Sequence, residues 1–130
     1  MKFALAIYGA PATSQAPQTA LHFAKATLAE GHEIVQLFFY QDGVHTASTL
    51  CMAPQDEQPL TQQWRAFIHE RQLDAIVCIA AAMRRGVVDQ AEAKRYELSA
   101  HNLDTTFTLS GLGQLIDASV TADRIITFGD

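Results

Sequence analysis

The chain has 130 residues, 48% apolar and 18% charged, with a net charge of −5. That composition fits one folded domain, 1–130, and excludes a disordered tail or a membrane protein. Nine basic residues spread along an acidic chain are a poor footprint for direct binding to nucleic acid.

In chain order, "KFALAIY" reads as a first strand that ends at Gly9. The loop "APATSQAP" follows, and Ser14 or Pro17 can open a helix with Leu21, Ala24 and Leu28 on one face and Gly31 as its stop. "HEIVQLFFY" reads as strand two and "QDG" as a turn. A short helix can precede the polar loop between Pro54 and Pro59. A helix then starts at Pro59, with Leu60, Trp64, Phe67 and Ile68 as its apolar stripe. "LDAIVCI" is strand three and carries Cys78 near its end. A helix is expected from about Ala80, and another where Asp89 and Glu92 have capping-box spacing. "TTFTLS" reads as strand four, "SGLGQLIDASVTA" as a helix through Leu112, Leu115, Ile116 and Ser119, and "RIITFG" as strand five. This alternation predicts an α/β class: a three-layer α/β/α domain with a mainly parallel sheet of about five strands, flavodoxin-like in appearance.

No apolar run is long enough to span a bilayer and no signal-peptide pattern opens the chain, so the expected location is the cytoplasm. His22, His32, His45, His69 and His101 are scattered singly, and Cys51 and Cys78 lie far apart, so neither a metal site nor a structural disulfide is expected. Arg84-Arg85 and Lys94-Arg95 form the one local basic concentration. It suits an acidic partner, an anion, or a solvated helix face.

Sites in open α/β sheets gather outside the carboxyl ends of the strands, and Cys78 falls near such an end. A helix starting just after it would aim free N–H groups and a positive dipole end at the sulfur, which favours a nucleophilic thiolate. Arg85, about 10 Å further along a helix, would act only as a distant field. The same residue between Val77 and Ile79 also reads as plain core packing. Cys51, in the loop "TLCMAPQ", reads as an exposed, inert thiol. Cys78 and Arg84 have the C-x5-R spacing of oxyanion-cradling loops, but the intervening Ile-Ala-Ala-Ala-Met favours a helix and no Ser or Thr follows. In the first loop, Thr13 and Ser14 could donate to a flavin phosphate, yet no glycine-rich fingerprint is present and both suit a helix cap.

Three blocks in combination, "FFYQDGV", "CIAAAMRRGVVD" and "SGLGQLIDAS…ADRIITFGD", resemble the TusD/DsrE family of sulfur-relay proteins, and the similarity spans essentially the whole chain. The resemblance implies a DsrE-like fold and a sulfurtransferase subunit in which Cys78 accepts sulfane sulfur as a persulfide and passes it on. It implies no cofactor, no metal and no direct contact with nucleic acid. The implied partners are two related small subunits, two copies of each in a heterohexamer, with an upstream sulfur carrier and a downstream acceptor. One branch of the family leads to 2-thiouridine at the tRNA wobble position, the other to dissimilatory sulfur oxidation. A non-catalytic structural subunit with a buried Cys78 is the rival from another class.

Overall fold

The computed structural model describes Met1 to Asp130. Five strands, β1 (Lys2–Ile7), β2 (Glu33–Phe39), β3 (Ala75–Cys78), β4 (Thr108–Ser110) and β5 (Arg124–Phe128), form one all-parallel sheet in the order β4-β3-β2-β1-β5. The helices are α1 (Ala16–Ala29), α2 (Leu60–Arg71), α3 (Ile79–Arg84), α4 (Gln90–Arg95) and α5 (Gly113–Thr121), with a 3-10 helix over Gln41–Ala47. From β1 to β4 the chain steps in one direction across the sheet, and β5 then returns to the far side of β1. Right-handed crossovers therefore place α5 on the face opposite α1 and α2. The α/β architecture is the expected one, while the strand order differs from the 2-1-3-4-5 order of flavodoxins.

The apolar alternation of each strand explains the two faces. Ile7, Phe39 and Val77 are partners in register and share the face that α2 covers. There Trp64 and Phe107 each set an edge against Phe39, with ring centroids 5.4 Å apart in both pairs. The fully buried indole of Trp64 donates its N–H to the Pro17 carbonyl at 3.1 Å, so the one polar atom of this side chain is satisfied. On the opposite face lie Ala6, Phe38 and Ile76, with α5 packed over β1 and β2.

Element ends follow local chemistry. Gly31, at φ +84°, stops α1 as expected. α2 ends without a glycine, on Gln72 at φ +53°. β4 is shorter than "TTFTLS" suggests, because Asp104 takes the Thr106 N–H on its carboxylate and the Phe107 N–H on its carbonyl, drawing those residues into a turn. α5 starts at Gly113 because Gly111 and Leu112 form a turn that leads into it. "QDG" opens the 3-10 helix where a simple turn was expected. Gly43 donates to the Tyr8 and Tyr40 carbonyls, and a Cβ on it would collide with the Ile7 carbonyl oxygen. No helix is long and apolar enough to cross a membrane.

Candidate functional site

β3 is a short run of buried residues, "AIVC", and α3 follows without a linker, so Cys78 is at once the last strand residue and the N-cap of α3. Its backbone is extended, at φ −62° and ψ 118°, as a cap requires. By register Cys78 is the partner of Ser110, and strand alternation places it on the α5 face of the sheet with Ile76 and Phe38. Its side chain makes no capping hydrogen bond. The first-turn N–H groups of a helix have no partners within it, so those of α3 stand beside this residue. The helix begins at Ile79, one residue before the expected start, and has six residues.

Cys78 is 2% exposed. It belongs to one buried cluster with Ala81 and Ala82 of α3 and with Val44 and Ala47 of the 3-10 helix. α3 packs on β3, β4 and the 3-10 helix. The 3-10 helix also holds Thr46, whose fully buried hydroxyl has no hydrogen-bond partner.

The basic residues do not act together. Arg85 is engaged by three acceptors: its Nε donates to Asp42 Oδ1 at 2.8 Å, its Nη2 to Gln41 Oε1 at 3.2 Å and its Nη1 to the Ala81 carbonyl at 3.1 Å. The Asp42 carboxyl is held below its ordinary value of 3.8 by the hydrogen bond from Arg85, with its charge assisting, against the opposing effect of desolvation. Arg84 is exposed and takes part in no ion pair, and Arg95 makes a loose one with Glu92 at 3.9 Å. Asp89 caps α4 by accepting the Glu92 N–H at 2.7 Å, the bond its spacing predicts.

Two alternative sites do not assemble. The residues between Cys78 and Arg84 are helical, so no oxyanion cradle forms. In the first loop, Ser14 Oγ accepts from the Ala16 N–H and donates to Asp130 Oδ1 at 2.7 Å, which puts a carboxylate where a phosphate would have to sit. Cys51 is half-buried rather than exposed. Its Sγ donates to the His45 carbonyl at 3.3 Å, and it lines an open groove with Ser14, Gln18 and Thr61. No three of the His, Cys, Asp and Glu side chains cluster as a metal site would need. Sequence reasoning missed Gln41, Asp42 and Thr46; only the "QDG" spacing hinted at structure there.

Fold and site together define a small α/β protein with one buried thiol at the carboxyl edge of a parallel sheet, directly before a short helix. The chain belongs to the DsrE/DsrF-like family, whose model matches residues 1–128. A relative from Pseudomonas aeruginosa named sulfurtransferase TusD homolog is 53% identical over 99% of this chain and 98% of its own. Sulfurtransferase TusD of Enterobacter sp. (strain 638) is 45% identical over 98% of this chain and all of its own. The DsrE protein of Allochromatium vinosum is 47% identical over the full length of both. Sulfurtransferase is the class of activity these relatives support. Among solved structures, the ychN protein from E. coli superposes with a TM-score of 0.77 over 98% of this chain and 99% of its own, at 20% identity, which supports the fold.

Proposed function

We propose that this chain is a sulfurtransferase subunit that accepts sulfane sulfur as a persulfide on Cys78 and relays it to an acceptor protein. The observation that carries the reading is the position of Cys78, last residue of β3 and N-cap of α3, in a chain related along its whole length to named sulfurtransferases. In the proposed step the Cys78 thiolate attacks the outer sulfur of a donor persulfide. The donor's S–S bond breaks, its inner sulfur leaves as a thiolate, and the new S–S bond lies on Cys78; the second transfer repeats this with Cys78 as leaving group. No electron is gained or lost overall, so the step calls for no redox cofactor.

The pathway we infer ends in 2-thiouridine at the tRNA wobble position and operates in the cytoplasm, with the same relay in dissimilatory sulfur oxidation as its alternative. The partners are two related small subunits, two copies of each, together with a sulfur carrier and an acceptor. Assembly is supported by α5 and its N-cap, where Leu112, Ile116 and Val120 form an exposed stripe at four-residue spacing, 45%, 65% and 83% accessible. A second reading, a structural subunit with an inert thiol, is favoured by the 2% exposure of Cys78.

Mass spectrometry after incubation with a cysteine desulfurase and a sulfur carrier separates them. Sulfur mapped to Cys78 that leaves on addition of an acceptor supports the relay. No added sulfur, with sister subunits present, supports the inert subunit. Loss of tRNA thiolation on deletion of the gene favours the tRNA branch.

A further inference from the structure

A relay thiol has to meet a partner's sulfur, yet Cys78 is 2% exposed, so reaction requires a local opening. α3 starts at the residue after Cys78 and shares its buried cluster, so displacing α3 from the 3-10 helix opens the core beside the thiol. Six residues are too few to hold a helix by its own hydrogen bonds, so tertiary contacts keep it formed. Ala81 and Ala82 supply the apolar part of those contacts. The polar part comes from one side chain. Arg85, directly after α3, donates to the Ala81 carbonyl of the last turn and reaches across to Asp42 and Gln41.

Its anchor is firm. Gln41 is held in the left-handed region at φ +49°, and its side-chain oxygen is one of the acceptors of Arg85. Gly43 is bonded to the Tyr8 and Tyr40 carbonyls and seated against Ile7, while the Tyr40 N–H donates to the Ile7 carbonyl. The start of the 3-10 helix is thus fixed to the carboxyl ends of β1 and β2. The bond joining it to α3 is exposed on one side: the Asp42 side chain is 62% accessible and that of Arg85 24%.

We propose that Arg85 is a positioning residue for Cys78: by tying α3 to Asp42 and Gln41 it sets how often the thiol is presented. This rests on the relay role of Cys78. A planar guanidinium serves three acceptors in fixed directions, which a lysine ammonium at the same position does not reproduce.

The test uses the full chain and iodoacetamide, with peptide mapping to separate Cys78 from Cys51 and hydrogen exchange followed over residues 79–86. Alkylation of a buried thiol proceeds through the open state, so its rate follows the opening equilibrium. Arg85→Ala is expected to speed Cys78 alkylation and exchange in 79–86 on the order of fivefold, leaving exchange in β1 and α1 unchanged. Asp42→Ala does part of this, and the double variant matches Arg85→Ala alone, since both changes remove one device. Arg85→Lys recovers only part of the wild-type rate, and Arg84→Ala has no effect. An unchanged Cys78 rate in Arg85→Ala, additive effects in the double variant, or faster exchange throughout the molecule would each overturn the proposal. Should Arg85→Ala fail to fold, Asp42→Asn and Arg85→Lys carry the same comparison. Sulfur loading of the wild type is measured alongside: failure there sinks the relay reading, while the alkylation rates still judge the clamp.

Discussion

Replacing Cys78 separates packing from chemistry, because serine and alanine make different demands on this position. The residue is 2% exposed within an apolar cluster, and a hydroxyl buried there without a partner would cost about 1–3 kcal/mol. Cys78 is, however, the N-cap of α3 and makes no capping bond itself. A serine oxygen can accept from the free N–H of Ala80 or Ala81, a contribution of about 1 kcal/mol. The cap offsets part of the cost, so Cys78→Ser is expected to lose less than about 2 kcal/mol. Cys78→Ala loses the sulfur's contacts, leaves the N–H groups uncapped and should be the less stable of the two. Urea unfolding followed by the fluorescence of Trp64, the only tryptophan and fully buried, measures both. Both variants are expected to keep their fold and accept no sulfur. A serine variant destabilised by more than about 3 kcal/mol, or less stable than alanine, would refute the capping argument.

Other outcomes are open to direct measurement. Cys51→Ser keeps a donor for the His45 carbonyl, so sulfur transfer should be unchanged, and a loss in the mass-spectrometric transfer assay would mean that the relay uses the other thiol. Gly43→Ala should cost at least about 2 kcal/mol in urea unfolding, since its Cβ would meet the backbone oxygen of Ile7 and not a side chain that could move aside. The Asp42 carboxyl is depressed by Arg85, so the contribution of this pair is present above the unfolded value of 3.8 and is lost as pH falls through the lower folded value. The urea midpoints of wild type and Asp42→Asn should therefore differ at pH 6 and converge as pH drops below about 4. Added salt should shrink the difference at pH 6, because the carboxylate lies in solvent. A gap that stays constant with pH would show that the ion pair does not account for it.

Much of the fold was legible because most strands are short apolar runs and several helices carry a local start or stop signal. The Asp89–Glu92 spacing announced α4, Pro17 lies in the first turn of α1, and Gly31 ended that helix. Misjudged boundaries had non-local or compact causes: the Asp104 turn shortened β4, and Gly43, fitted under Ile7, turned an expected simple turn into a 3-10 helix. Of the site, the place of Cys78 between strand and helix was readable from "AIVCIAAAM", whereas its burial was one of two readings that local sequence left open.

The sequence by itself determined the alternation of strands and helices, the family, and the one cysteine that a helix follows directly, because these depend on neighbours within a few residues of each other. Only the tertiary structure decided what surrounds that cysteine. Arg85 and Asp42 lie 43 residues apart and meet because β2 and β3 are adjacent in the sheet. Ser14 is spoken for by Asp130, 116 residues away, because β5 lies beside β1. Strand order is set by which faces pack together, and local propensity carries no record of it. That order decides which charges meet and which thiol is enclosed.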